Sequence, residues 1–342
     1  MKRVLITGGA GFIGSNFVRY LFNKYPDYKI TVLDAITYAG NLENFSEEMN
    51  KDSRFTLWHG NVRNADLVGT LVAQSDIVVH FAAETHVTRS VYDNFSFIET
   101  DVVGTQTIAN AVSRYRDTVE RFIHISSSEV YGTALTPVMD EDHPLNPMSP
   151  YAAAKAGADR LVYSYWATYD IPAVIVRPFN TFGPYQHLEK VIPRFITSCI
   201  LNEPLTVHGD GASRRDWLYV DDLCVALDRI MQSDIKMLKG QAINIGSGRD
   251  LSILEIAHLV VGKMKKSPSL ITCVGDRPGQ VERHTASIEK ARTLLEWEAK
   301  ISFEEGLERA ISWYQTHPDW WKRQLWMRRV PIITKQGKHE FH

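Results

Sequence analysis

At 342 residues, with 44% hydrophobic and 23% charged side chains, the chain has the composition of an ordinary globular protein with a sizeable core. A formal net charge of -2 favours neither nucleic acid nor an anionic membrane as partner, and no apolar stretch reaches the roughly 18 residues of a bilayer span. Three scattered cysteines (Cys199, Cys224, Cys273) speak against a disulfide framework and a metal cluster, so no metal is expected.

Met1 to Thr7 runs straight into a glycine motif, which leaves no room for a signal peptide and makes a cytoplasmic location the expectation. Val4-Leu5-Ile6 is a short apolar run ended by glycines, as a buried parallel strand requires. Phe12 to Tyr25 has helical spacing, with Phe17, Val18, Leu21 and Phe22 on one side, and Lys29 to Asp34 reads as a second strand. Further strands are predicted at 55–58, 77–81, 122–125 and 173–176, and helices over Thr100 to Tyr115 and Pro150 to Tyr169. Strands alternating with helices specify an α/β fold with a doubly wound parallel sheet of the Rossmann kind.

After Arg177, prolines and glycines break the chain into shorter pieces. The expected division is a nucleotide-binding domain over 1–177, a smaller interleaved C-terminal substrate-binding lobe over 178–330 with some strands and helices returning to the first domain, and a loose tail over 331–342. The aromatic and basic stretch Trp320 to Arg329 reads as a C-terminal helix packed on its own domain.

A dinucleotide needs a tight turn, close backbone approach to phosphate and a helix N-terminus aimed at the charge. Gly8, Gly11 and Gly14 supply these in order after the first strand, around Phe12 and Ile13. Asp34, 20 residues beyond Gly14, closes the second strand where a carboxylate accepts ribose hydroxyls and repels a 2′-phosphate, so NAD is expected over NADP.

Tyr151 and Lys155 lie four apart, on one helix face. A tyrosine with an ordinary pKa near 10 is a poor base, but an ammonium and a cationic ring beside it favour the phenolate and proton transfer from a sugar hydroxyl. Ser127 follows the 122–125 strand and can bond the same oxygen. Glu129, at the same strand end, suits a base that takes a carbon-bound proton once oxidation has made the neighbouring carbon a carbonyl, a step that simple alcohol oxidation lacks.

These motifs, with Tyr38-Ala39-Gly40-Asn41, Glu84-Thr85-His86, Glu189-Lys190-Val191-Ile192-Pro193, Arg215-Asp216-Trp217 and Asp276-Arg277-Pro278-Gly279, give the chain a family likeness from about Val4 to Trp321. It resembles the extended short-chain dehydrogenase/reductases, and within them the nucleotide-sugar 4,6-dehydratases of the dTDP-glucose type. The resemblance implies that Tyr151 and NAD oxidise the sugar C4 hydroxyl, Glu129 removes the C5 proton, water leaves from C6, and the hydride returns to C6. It implies NAD contacts from the glycine motif, Asp34, Asn61, Ala82, Tyr151 and Lys155. Substrate contacts are implied for His86, Asn180, Lys190, Arg215, Asn244, Arg277 and Arg283, the cations suiting a diphosphate. A homodimer built through the helices near 100–115 and 150–169 is implied as well.

The chain departs from that family at three positions. Where the family has Asp as the acid that protonates the departing C6 hydroxyl, this chain has Ser128. A serine has no acidic proton at neutral pH, so it relays one, or Glu129 hands the C5 proton across. The Ser128-Glu129 pair also resembles UDP-glucuronate decarboxylases, which carry an Arg near His284. Asn61 stands where an Asp usually meets adenine, and Asp101 where an Asn is usual. A decarboxylase, a 4-epimerase and a non-catalytic NAD-binding scaffold are the alternatives. The last is disfavoured because both Tyr151 and Lys155 are present.

Overall fold

The computed structural model describes residues 1–275, 279 and 281–329 in full, and 331–333 and 339–341 as backbone. The first half contributes β1 (Arg3–Thr7), β2 (Lys29–Asp34), β3 (Phe55–His59), β4 (Ile77–His80), β5 (Arg121–Ile125) and β6 (Ala173–Pro178). The chain then leaves this sheet to form β7 (Asn180–Phe182), β8 (Leu205–His208) and β9 (Arg214–Tyr219), and comes back as β10 (Ala242–Ile245) to pair with β6. The resulting seven-stranded sheet runs β3-β2-β1-β4-β5-β6-β10 with every pairing parallel. That is the doubly wound order, and it places a ligand crevice at the strand ends where the order reverses between β1 and β4.

Every residue of β4, β5 and β6 is buried, because helices cover both faces. Successive side chains alternate between those faces. Val4 and Ile6 pack with Phe17 and Leu21 of helix Phe12–Lys24 and Leu223 of helix Val220–Gln232. Leu5 packs the other way, with Val68, Ile108 and Val162 of helices Ala65–Ala73, Thr105–Arg114 and Pro150–Tyr169. The last of these begins where its sequence says it should. The Ser149 hydroxyl accepts from the Ala152 N–H (3.1 Å), Pro150 occupies the first turn, and Asp170 ends the helix in the left-handed region (φ 56°).

One expected helix differs in form. The run predicted from Thr100 begins at Asn94, and Ile98–Gly104 is a π-helix before the regular turns of Thr105–Arg114. The wider coil packs against helix Pro150–Tyr169 and carries a buried Asp101, 1% exposed.

In the second lobe β9 is the hub, pairing with β7, with β11 (Asp250–Ser252) and with the two-residue β13 (Arg283–His284), while β12 (Ile271–Val274) pairs with β8. Its core gathers Phe182, Phe195, Trp217, Tyr219, Tyr314 and Trp321. Where a helix is expected over Trp320 to Arg329, a short one, Pro318–Lys322, ends early and is followed by a 3-10 turn at Leu325–Arg328, with Trp321 fully buried in this lobe. Where a loose tail is expected, the backbone of Pro331–Ile333 pairs antiparallel with His339–Phe341. Among the described residues no helix is long and apolar enough to cross a membrane, and no group of three His, Cys, Asp or Glu side chains is placed to hold a metal.

Candidate active site

A cleft of about 570 Å³ opens along the carboxyl ends of the strands and continues between the lobes, within the range of cofactor and small-molecule sites. At one end lies the glycine turn. Gly8 has φ +69°, and a Cβ on it would lie 2.5 Å from the Ala82 nitrogen; a Cβ on Gly14 would lie 2.2 Å from the Gly8 carbonyl oxygen. No side chain caps helix Phe12–Lys24 at Gly11, so its free N–H groups face the cleft beside Phe12 and Ile13. Asp34 is 8% exposed and accepts from two backbone groups, Ala10 N–H and Ile36 N–H, each at 2.8 Å. Burial raises its pKa, and those two N–H groups pull it back. Asn61 and Ala82 line the same end.

The middle of the cleft holds Ser127, Ser128, Glu129, Tyr151 and Lys155. Ser127 caps the 3-10 turn Ser128–Tyr131, its hydroxyl accepting from the Glu129 N–H at 3.2 Å, which turns both Ser128 and Glu129 inward at the end of β5. Burial lifts the Tyr151 phenol above its ordinary pKa; Ser127 draws it down, Asp101 and Glu129 push it up, and Thr85 draws it down again. The Lys155 ammonium donates to the Ile125 carbonyl at 2.7 Å. Its pKa is lowered by burial and supported by Asp101 and Asp159. Asp101 is pushed up to about 7 by burial, against the opposing charge of Lys155, and its Oδ1 accepts from the Glu84 N–H at 2.7 Å.

Of the residues expected to meet a substrate, His86, Asn180, Lys190 and Arg215 line the cleft toward the second lobe. Lys190 donates to the Thr85 hydroxyl at 3.2 Å. Two others lie elsewhere. Asn244 sits within β10 at 0% exposure, its side chain accepting from the Tyr131 hydroxyl (2.7 Å) and donating to the Met139 carbonyl (3.0 Å), so it braces the floor of the site and does not line it. Arg283 turns away from the cleft to an ion pair with Asp250 at 2.6 Å. Arg277 lies outside the described residues.

Sequence reasoning passed over three features of the cleft. Thr85 meets Tyr151, Lys190 and, through its carbonyl, the Tyr38 hydroxyl at 2.8 Å. Glu189, 0% exposed at its side chain, accepts from Arg89 at 2.8 Å. Both belong to motifs that follow strand ends, where such sheets hold ligands, and that position was the available signal. The third is His284, which reaches Ser128 and Glu129 from beneath.

Proteins of known structure and sequence share this arrangement of chain. The low-salt glycan biosynthesis protein Agl12 of Haloferax volcanii is 45% identical over 91% of this chain and 98% of its own length. The dTDP-glucose 4,6-dehydratase of Streptomyces niveus is 39% identical over 94% of this chain and 95% of its own. The crystal structure of DesIV, a dTDP-glucose 4,6-dehydratase from Streptomyces venezuelae with NAD bound, superposes with a TM-score of 0.89 at 38% identity, covering 94% of this chain and 99% of that one. The family model for GDP-mannose 4,6 dehydratase matches residues 5–310, and the chain belongs to that family.

Proposed function

We propose that the chain is an NAD-dependent hydro-lyase, a nucleotide-diphosphate-hexose 4,6-dehydratase that turns a hexose into its 4-keto-6-deoxy form. The observation that carries this reading is the presence of Glu129 and Tyr151 in one cleft, beyond a glycine turn shaped for a dinucleotide. Tyr151 alone serves an oxidation; a second base at Glu129 serves the elimination that must follow it.

The residues present fit NAD. The space at Gly8 and Gly14 that a Cβ would fill, and the uncapped helix end at Gly11, suit the pyrophosphate. Asp34, held by two backbone N–H groups, presents its carboxylate to ribose hydroxyls. When bound, NAD takes up the hydride of C4 and gives it back at C6. Tyr151 receives the C4 hydroxyl proton, with Ser127 and Thr85 orienting that oxygen, and Lys155 keeps positive charge beneath. Glu129 takes the C5 proton, which the C4 ketone has made acidic. Lys190 and Arg215 meet the diphosphate, and His86 and Asn180 hold the sugar end. The names of the dehydratase relatives favour dTDP-glucose as substrate.

A cytoplasmic homodimer completes the proposal. The helical run 94–114 exposes Phe95 (68%), Ile98 (44%) and Val103 (42%), and helix Pro150–Tyr169 exposes Tyr163 (41%), apolar side chains that a second copy would cover. Light scattering should return twice the 38.9 kDa of one chain; a monomer would refute the dimer.

Activity is tested by mass spectrometry of products after separate incubation with dTDP-glucose, UDP-glucose, UDP-N-acetylglucosamine, GDP-N-acetylglucosamine and UDP-glucuronate. Loss of one water from dTDP-glucose is the expected result. Loss of carbon dioxide from UDP-glucuronate identifies a decarboxylase, and an unchanged mass with a new stereoisomer identifies an epimerase; either removes the dehydratase assignment.

A further inference from the structure

Elimination of water from C6 needs a proton for the departing oxygen. Ser128 lines the cleft at the position where the resemblance puts an acidic Asp, and its hydroxyl has no acidic proton of its own. Beneath it lies a group with no place in the mechanism above. His284 is fully buried, and β13, which carries it, is pinned to β9 with His284 opposite Arg215. Backbone bonds on either side, from Ala134 N–H to the Arg283 carbonyl (3.2 Å) and from Met139 N–H to the Thr285 carbonyl (2.8 Å), fix the ring in place. Its Nε2 lies 2.6 Å from the Gly132 carbonyl oxygen. A carbonyl can only accept, so Nε2 carries the proton and Nδ1 offers a lone pair. Two groups approach Nδ1: Ser128 Oγ at 3.5 Å and Glu129 Oε1 at 3.9 Å. Both separations are long, as such contacts are before substrate closes a site.

We propose that Glu129, His284 and Ser128 form a proton relay that carries the hydrogen taken from C5 to the oxygen leaving C6. This deepens the dehydratase reading and rests on it. The C5–H bond breaks, its proton passing to Glu129 and its electron pair forming the second bond between C5 and C6, while the C6–O bond breaks. Glu129 gives the proton to His284 Nδ1. The imidazolium gives it to Ser128, whose own hydroxyl proton goes to the departing hydroxide, and water leaves. Glu129, His284 and Ser128 end as they began, so the elimination is balanced without any further acid. The proton that Tyr151 received from the C4 hydroxyl is the one C5 takes up at the end of turnover. Ser128 is the catalytic residue in this step, and His284 acts through it as a positioning and relay residue.

The surroundings suit a carrier that holds a proton only briefly. Burial lowers the His284 pKa; Glu129 opposes this, Arg215 reinforces it, the Gly132 carbonyl opposes it, and His143 reinforces it. The imidazolium is therefore a stronger acid than a histidine in water, ready to pass its proton on.

The test is a cycle of variants. His284→Gln should lower kcat by about 100-fold or more, the usual weight of a lost proton transfer, with KM changed less than about threefold. Reduced nicotinamide should accumulate, because C4 oxidation does not use the relay. Ser128→Asp supplies a carboxylic acid directly, so in that background His284→Gln should cost less than about fivefold in kcat. In the chain alone, nitrogen chemical shifts should show His284 neutral and protonated on Nε2. Full turnover by His284→Gln, an equal penalty in both backgrounds, or a ring protonated on Nδ1 would each overturn the relay. Failure of the dehydratase reading looks different: the unaltered enzyme would release no water from any hexose nucleotide.

Discussion

Beneath the turn that carries Ser127 and Glu129 lies a buried ion pair, Asp159 with Arg177. Asp159 lies one turn past Lys155 and is 0% exposed; it accepts from Arg177 Nε (2.9 Å) and Nη2 (3.0 Å), from the Ser126 hydroxyl (2.7 Å) and from the half-exposed Arg160 Nε (2.9 Å). Arg177, 2% exposed, also donates to the Tyr131 hydroxyl at 2.8 Å. Burial alone would raise the Asp159 pKa, but the hydrogen bonds and charge of Arg177, helped by the charge of Arg160 and the Ser126 hydroxyl, outweigh it and hold the carboxyl at about 2. The sign follows from linkage. A pKa depressed on folding adds stability that is fully present above the ordinary value of 3.8 and is lost as pH falls through about 2. Asp159→Asn leaves Arg177 buried without its counter-charge, so it should cost about 3–5 kcal/mol at neutral pH. In urea titrations the gap between the unaltered chain and Asp159→Asn should narrow as pH is lowered from neutrality into that window. A gap of constant size would show that the carboxylate charge is not what Arg177 requires. Because Ser126 adjoins Ser127, the same pair also steadies the catalytic turn.

At the scale of elements, legibility follows how local the physics is. The strands beneath the site could be read because both faces are buried, and burial on both faces demands unbroken apolar runs such as Val4-Leu5-Ile6. The glycine turn and the Tyr151–Lys155 face were legible for a similar reason: each is a mechanism confined to one turn of chain. The π-helix at Ile98–Gly104 was not legible, since its widening depends on packing against a helix some fifty residues away. Neither was β10, four residues in a stretch rich in turns, whose partner β6 is chosen by the whole sheet. That is also why the sequence does not reveal that the Asn244 side chain is buried in β10, away from the cleft lining. Nothing local distinguishes an amide facing a cleft from one facing the Tyr131 hydroxyl. His284 illustrates the limit most sharply, because it meets Ser128 across 156 residues of chain on a strand of two residues.

For the molecule as a whole, the end of the described chain reaches back to the cofactor turn. Trp320, 7% exposed, packs edge-on against Trp313 and Tyr185 of the second lobe. Its indole Nε1 donates to Asn44 Oδ1 at 2.9 Å, and Asn44 Nδ2 donates to the Ala10 carbonyl at 2.8 Å. Ala10 belongs to the glycine turn, and its N–H is one of the two that hold Asp34. A second-lobe side chain that does not line the cleft is therefore three hydrogen bonds from Asp34, the carboxylate proposed to meet the adenosine ribose. Trp320→Phe keeps most of the packing but leaves the fully buried Asn44 Oδ1 unsatisfied, at a cost of about 1–3 kcal/mol. If half of that is felt at Ala10, NAD affinity should fall by about two- to thirteenfold. Trp320→Ala removes the packing too and should cost about 3–5 kcal/mol in stability. Calorimetric titration of NAD into the folded Trp320→Phe variant separates the two effects. A weakened affinity at unchanged stoichiometry means that the second lobe tunes the cofactor turn, whereas lower stability with unaltered affinity would mean that Asn44 absorbs the loss and the lobes are joined only by packing.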